Sequence, residues 1–477
     1  MKKIGAICLL LCILAGLLIP TGASAALETA DDKSVQQGCH GLDAQAPLLG
    51  SVPFTENAKS IILYEYNTDT LMYAYNVDEQ QFPSSFVKIM TGLIAVEKGN
   101  LETAVTVKQS VLNTIPNDAV SAELRADEII SLEDLMYCML VHSANDAAAV
   151  IADHISGSQE AFVAEMNAYA EKLGCTNTKF MNAHGLHHDE QVTTARDTAR
   201  ILAAAMKNED FARIFNTAFY NVPATNKSAI RRLETTNHLV NNQEYETYLD
   251  LRVTGGRTGV TDDGYRCIAA ASEADGLKMV SVVMGTHSVF EEDSYVIKII
   301  GGFHETSELL DMGYAGYKEA QILYDGQIVK QQAVTNGKSN VVLGSRTDLS
   351  TVIPYSVQNE DLIYRYNDIP GAFQAPVKKG DILSQVEIWY GSVCLGHADL
   401  YAMNDVASVQ LLPDQTSPPA NGEKKDNTVW KIILWIVVGV VGCVVLAVLV
   451  LLIYRRARRM IAERRRKQFR RSRRRSR

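Results

Sequence analysis

The sequence predicts an α/β (α+β) unit over residues 58–304, a small all-β domain over 305–412 and a single C-terminal transmembrane helix over 429–454. Three observations carry this. Between 58 and 300, strand-like runs (60–66, 279–284) alternate with long helical ones (85–98, 131–155, 159–173, 195–208), the pattern of a mixed unit. From 305 to 412 the helical period gives way to short β-branched and aromatic runs broken by the turn signals Asp325-Gly326, Asn336-Gly337 and Lys379-Gly380-Asp381. Residues 432–453 form an apolar run of 22 residues without a charged side chain, which at about 1.5 Å per residue spans roughly 33 Å, enough to cross a bilayer core.

The remaining segments are read in order. Lys2 and Lys3, an apolar stretch over 4–19 and then Ala23-Ser24-Ala25 have the layout of a secretory signal peptide, so residues 1–25 are expected to be removed before Ala26; an N-terminal anchor fits less well, because Pro20 and Gly22 end the apolar stretch early. Residues 26–57 are an N-terminal extension. Residues 413–428, with three prolines and Asn421-Gly422, read as a polar linker. Trp430 and Trp435 suit one membrane interface and Tyr454 the other, with Lys431 reaching the headgroups.

Charge sets the topology. Residues 455–477 hold thirteen Arg, one Lys and one Glu, a net +13, and a basic block beside a span stays in the cytoplasm. The expected location is therefore a cell membrane, single-pass, with everything before the span outside. A tail of this kind also has the charge to meet RNA, but beside a span it contacts anionic lipid. The formal net charge of −9 hides the asymmetry: with the tail at +13 and the leader at +2, residues 26–454 carry −24. An exterior so acidic excludes nucleic acid as its partner.

Of eight cysteines, Cys8 and Cys12 lie in the leader and Cys443 in the span, leaving Cys39, Cys138, Cys175, Cys267 and Cys394 outside. Their spacing has neither close pairs nor a Cys/His metal pattern, so they read as buried thiols with at most one incidental disulfide, and neither a metal nor a cofactor is expected.

Three short motifs carry chemistry. In Pro83-Ser84-Ser85-Phe86-Val87-Lys88 a helix begins with Ser84 as its N-cap, and the three-residue step puts the Ser85 hydroxyl and the Lys88 amine on one face. A lysine whose pKa is lowered by burial and nearby positive charge can take a serine proton. Ser143-Ala144-Asn145 follows a helix that starts at Ser131 with Asp134 placed as in a capping box; in the loop, Ser143 can pass a proton to a departing amine, and Asn145 can bond substrate amides or hold Lys88. Gly255-Gly256-Arg257-Thr258-Gly259 lies on or beside a strand, where Arg257 can grip a carboxylate with two parallel hydrogen bonds, Thr258 can add a hydroxyl and Gly259 allows close backbone approach. Each motif alone has an ordinary structural explanation, as a cap, a turn or a solvated hairpin.

In this order, with 58 residues from Ser85 to Ser143 and 114 from Ser143 to Arg257, the motifs resemble the Ser-x-x-Lys, Ser-x-Asn and Lys-Thr-Gly set of the penicilloyl-serine transferase superfamily. The nearest branch is the D-alanyl-D-alanine carboxypeptidases among the low-molecular-mass penicillin-binding proteins, to which Ala183-His184-Gly185-Leu186, Thr194-Ala195-Arg196-Asp197 and Val282-Val283-Met284-Gly285 are also similar. The resemblance implies a β-lactamase/transpeptidase-like catalytic domain, Ser85 as acylated nucleophile, Lys88 as general base, Ser143 as proton relay and Asn145, Arg257, Thr258 and Gly259 as substrate-binding residues. It implies peptidoglycan stem peptides as substrate, loss of their terminal D-alanine, and covalent inhibition by β-lactam antibiotics.

Arg257 departs from the pattern, which usually has Lys there. A guanidinium does not give up its proton, so it can anchor an anion but not shuttle protons, and its fixed charge should favour a neutral Lys88. His184 lacks the Ser and Asp partners of a triad, and it reads as structural, as do Arg196 and Asp197. Two alternatives stand beside this reading: a β-lactamase-like hydrolase, which needs a carboxylate to activate water and finds no Glu-x-x-Leu-Asn-like text over 171–184, and a non-catalytic cell-wall-binding protein in which Arg257 marks a decayed site.

Overall fold

The computed structural model describes residues 41–44, 46–50, 57–241, 246–290 and 297–409. Strand β1 (Ser60–Glu65) is buried along its whole length. Its side chains alternate between two cores: Ile62 and Tyr64 belong to one, Ile61 and Leu63 to the other. A strand covered on both faces must be apolar throughout, which explains the unbroken Ile-Ile-Leu run.

Strand β2 (Thr70–Tyr75) pairs antiparallel with β1. Among the described residues six helices of seven residues or more follow: α1 (Val87–Lys98), α2 (Leu132–Leu140), α3 (Asn145–Ser156), α4 (Gln159–Lys172), α5 (Ala195–Met206) and α6 (Glu209–Phe215). Their starts are written locally, since Ser131, Ser158, Thr194 and Asn208 each accept a backbone N–H from three residues on. The chain then returns as β3 (Val253–Val260), β4 (Arg266–Ala274) and β5 (Leu277–Thr286), completing an antiparallel sheet of order β2-β1-β5-β4-β3. Ile62 thus lies opposite Val282, and the helices are an insertion between the two halves of the sheet. They pack on one face, with Val87, Met90, Leu135 and Ala199 in the same core as Ile62 and Val282.

The other face takes helix α7 (Phe303–Tyr314), whose Leu309 and Leu310 join Ile61, Leu63 and Val283. This corrects the sequence reading, in which the helical period ends at 304. The helix buries Phe303, Leu309, Leu310 and Tyr314, but Glu305 and Thr306 are buried between them, so its apolar period is broken and is hard to read without its partner.

Beyond α7 the described residues, up to 409, form strands and turns with one 3-10 turn at Asn359–Asp361. Tyr317–Leu323 pairs with Leu349–Pro354, and a five-stranded antiparallel sheet runs in the order Ile328–Gln332, Val341–Ser345, Val393–Ala402, Ile382–Tyr390, Ile363–Asp368. The expected turns appear: Gly326, Asn336 and Gly380 all have positive φ. Val341, Leu343, Val386 and Leu400 continue the core beneath α7, and Thr70 Oγ1 lies 3.3 Å from Thr351 Oγ1, so the two modules share one unit that ends at Val409. The architecture is the expected α/β catalytic unit with a C-terminal β module.

Cys138, Cys175 and Cys267 are buried free thiols, and Cys394 is disulfide-bonded. Among the described residues no helix is long and apolar enough to cross a membrane. The leader, Cys39, the linker, the expected span at 429–454 and the basic tail lie outside the described residues.

Candidate active site

A 3-10 turn, Ser84–Phe86, leads directly into α1. Ser84 has φ +46° and its hydroxyl donates to the Val260 carbonyl at 2.8 Å. It makes no cap, contrary to the sequence reading; it ties the turn to the end of strand β3. Gly185 allows this geometry, because at its φ of +86° a Cβ would stand 2.0 Å from the Ser84 carbonyl oxygen. Gly259 does the same from the other side, where a Cβ would meet Ser84 Oγ at 3.0 Å.

Ser85 Oγ lies 3.1 Å from Ser143 Oγ and 3.4 Å from Lys88 Nζ. The two motifs therefore meet. Lys88 is 1% exposed, and its amine bonds Asn145 Oδ1 at 2.8 Å and the His184 carbonyl. Burial, then the nearby Arg257 charge, push its pKa well below the ordinary lysine value, while Asp146 pulls the other way. A neutral amine has two N–H donors and one lone pair. With Asn145 and His184 as acceptors for both donors, the lone pair is left to face Ser85.

Ser143 sits between α2 and α3 with φ +68°, a left-handed conformation that a non-glycine residue holds only where its surroundings enforce it. Asn145 opens α3, and both its backbone N–H (2.8 Å) and its Nδ2 (3.0 Å) bond the Val120 carbonyl. Asp146, which sequence reasoning missed, braces the same loop: its carboxylate accepts from Ser121 Oγ (2.7 Å), Ala122 N (3.0 Å) and Leu124 N (3.1 Å). The only local signal was an acid in the first turn of a helix.

Arg257 is also 1% exposed. Its Nη1 donates to the carbonyls of Leu140 (2.7 Å) and Met139 (3.3 Å), its Nη2 to Thr236 Oγ1 (3.2 Å) and its Nε to the Thr258 carbonyl (3.4 Å). It caps the C-terminal end of α2, just before Ser143. Four of its five N–H donors are taken, so the parallel two-bond grip on a carboxylate expected from sequence is not open to it. Burial lowers its pKa to about 10, still cationic near neutrality. Thr236 Oγ1 lies 2.5 Å from Thr258 Oγ1, and both line a cavity of about 450 Å³ together with His142, Gly259 and Arg266.

His184 is held neutral, its pKa lowered to about 3 by burial and then by Lys88; its Nδ1 accepts the Leu186 N–H at 3.2 Å. Arg196 pairs with Asp78, and Asp197 accepts from Asn177 N and Thr178 Oγ1. These three residues build the frame. Among the described residues no three His, Cys, Asp or Glu side chains converge as a metal site requires.

A buried lysine sealed against a serine, on a sheet with an inserted helical layer, is the arrangement of a serine acyl-transfer enzyme. The chain belongs to the D-alanyl-D-alanine carboxypeptidase family, whose sequence profile matches residues 47–288, and residues 317–408 match the C-terminal domain of penicillin-binding protein 5. It is 29% identical over 382 residues to the D-alanyl-D-alanine carboxypeptidase DacA of Haemophilus influenzae, covering 78% of this chain and 90% of that one. It is 29% identical over 365 residues to DacC of Escherichia coli, covering 73% and 84%. Penicillin-binding protein 5 of Haemophilus influenzae superposes with a TM-score of 0.62 at 28% identity, over 75% of this chain and 100% of that one. DacD of Francisella tularensis, at 20% identity and a TM-score of 0.59 over 77% and 98%, shares the fold. The protein is a serine-type D-alanyl-D-alanine carboxypeptidase, a peptidase hydrolase.

Proposed function

We propose that the enzyme removes the terminal D-alanine of peptidoglycan stem peptides through an acyl-enzyme on Ser85. Lys88 takes the Ser85 proton as the hydroxyl attacks the penultimate D-alanyl carbonyl. Ser143, 3.1 Å away, passes a proton to the leaving D-alanine, and water then hydrolyses the ester. The 3-10 turn's own bond is made by the Phe86 N–H to the Pro83 carbonyl at 3.0 Å, and the Ser85 backbone N–H at the start of the helical segment can receive the oxyanion.

Asn145 holds Lys88 and the substrate backbone. Arg257 supplies positive potential and polarises the Thr236 and Thr258 hydroxyls, so that Thr258 can donate to the substrate terminus while Gly259 keeps the strand close. The observation that carries the reading is the Lys88 amine, fully buried, with Asn145 and His184 as acceptors and Ser85 as its remaining neighbour. A β-lactamase-like hydrolase is disfavoured, because among the described residues no carboxylate bonds Ser85 or Lys88.

In this reading residues 58–304, together with helix α7 that covers their sheet, catalyse, the remainder of 305–412 forms the β domain, and the leader (1–25), linker (413–428), span (429–454) and tail (455–477) place the enzyme outside the membrane, where penicillins acylate the same serine. Labelling by a fluorescent penicillin and release of D-alanine from a D-alanyl-D-alanine peptide test it. Both should vanish in Ser85→Ala; rapid penicillin turnover, or labelling that survives the substitution, would refute it.

A further inference from the structure

We infer that one end of the β module, the turns around Lys338 and Lys378-Lys379, docks on anionic phospholipid headgroups of the membrane that the proposed span crosses. The inference rests on the topology of that reading and not on its chemistry. Charge points to it first. Residues 317–409 hold seven Lys and Arg against ten Asp and Glu. Four of the seven, Lys338, Arg346, Lys378 and Lys379, gather at this end with two of the ten, Asp381 and Asp405, so the end carries +2 and the rest of the module −5. On an exterior as acidic as this one, such a surface suits an anionic partner.

Folding brings these residues together around the last described segment, 402–409. The Lys338 N–H donates to the Ala407 carbonyl at 2.9 Å and the Val409 N–H to the Asn336 carbonyl at 2.7 Å. Val377 and Val406 exchange backbone hydrogen bonds of 2.9 and 2.8 Å, and the Gly380 N–H donates to the Ala402 carbonyl at 2.7 Å. A Cβ on Gly380 would lie 3.7 Å from Arg346 Nη2, which places the guanidinium at the same turn.

The two acids are used by the turn itself. Asp381 Oδ2 accepts the Lys378 N–H at 2.8 Å and Asp405 Oδ1 the Lys379 N–H at 2.7 Å. All four cations are exposed, and among the described residues the ammonium groups of Lys338, Lys378 and Lys379 make no hydrogen bond or ion pair. Val409, Ile382 and Ile369, at 45%, 43% and 40% exposure, flank them. Cations mixed with apolar side chains match a headgroup layer, where ammonium meets phosphate and the apolar groups reach the acyl boundary. The tether starts at the same place: 19 residues, 410–428, separate Val409 from the expected span at 429–454, at most about 65 Å of chain. The surface that surrounds the attachment point is thus the one charged to hold lipid, and docking there would set how the Ser85 cleft is presented above the bilayer.

The test reconstitutes the full-length enzyme, with a protease site placed in the linker, in vesicles of phosphatidylcholine alone or mixed with phosphatidylglycerol, and then cuts the linker. The freed ectodomain should stay with the anionic vesicles at low salt, leave them as salt is raised, and leave the neutral vesicles at once. Lys338→Gln, Lys378→Gln and Lys379→Gln together should weaken retention roughly 100-fold, about fivefold for each cation at an anionic surface. Lys318→Gln, Lys330→Gln and Arg365→Gln, the same change of charge elsewhere on the module, should leave retention unchanged. Both triple variants should release D-alanine from a soluble peptide at the wild-type rate. Equal release from the two kinds of vesicle, equal losses in the two triple variants, or retention by purified peptidoglycan and not by vesicles overturns the inference. A full-length chain that does not enter vesicles overturns the span and the inference with it, while D-alanine release judges the catalytic reading separately.

Discussion

The guanidinium of Arg257 donates to the carbonyl oxygen of Leu140 at 2.7 Å, joining the edge strand of the sheet to the end of the helix that presents Ser143. The contact explains how Arg can stand where the related motif has Lys. Fixed charge near Lys88 and a cap on α2 need a cation, but not one that transfers protons.

Arg257→Ala should therefore move the pH profile of acylation. The base is the neutral amine, so the rate rises with pH through the Lys88 pKa, on a limb well below the ordinary lysine value of 10.5. Removing a neighbouring positive charge raises that pKa, and the limb should shift to higher pH. Arg257→Lys should keep the limb near its wild-type position while losing carbonyl bonds worth about 1 kcal/mol each. An unshifted limb in the alanine variant would show that burial alone tunes Lys88.

Ser143→Ala should slow acylation by a peptide about 10²- to 10⁴-fold, the usual contribution of a positioned acid–base group. Asn145→Ala should remove one of the two acceptors that orient Lys88. Stopped-flow acylation by penicillin and by peptide measures both, and a circular dichroism melt checks that the folds survive.

Gly185→Ala tests the packing behind the nucleophile. The new methyl would lie 2.0 Å from the Ser84 carbonyl oxygen at a φ of +86°, so the turn must shift, at a cost of roughly 1–3 kcal/mol. Penicillin labelling should fall with the melting temperature. A variant with native labelling would mean that the Ser84 conformation is dispensable.

Glu128 predicts an acid weakness. Its side chain is 0% exposed, pairs with Arg231 at 2.7 Å, and accepts from Thr225 Oγ1 and Arg125 N. The hydrogen bonds of its partners outweigh desolvation and hold its pKa below the ordinary 4.5. A depressed carboxyl pKa adds stability that is complete above the unfolded value and is lost as pH falls through the folded one. Melting temperature should drop below about pH 4.5, and Glu128→Gln should flatten that drop while lowering stability at pH 7 by roughly 3 kcal/mol.

Local text was enough for the strands at 60–66 and 279–284, the helix start at Ser131, the turn signals of the β module and the pairing of Ser85 with Lys88 across one helical turn, because periodicity, capping and i,i+3 proximity act within a few residues. Tertiary structure alone decided the rest. Lys88 meets acceptors at Asn145 and His184, far along the chain; Ser84 is drawn to Val260 and so is no cap; Arg257 turns to the carbonyls at the end of α2; and α7 is recognisable only by the sheet it covers. Protonation state and donor availability depend on desolvation and on charges brought together by folding, and no local pattern encodes which distant carbonyl will stand beside a buried amine.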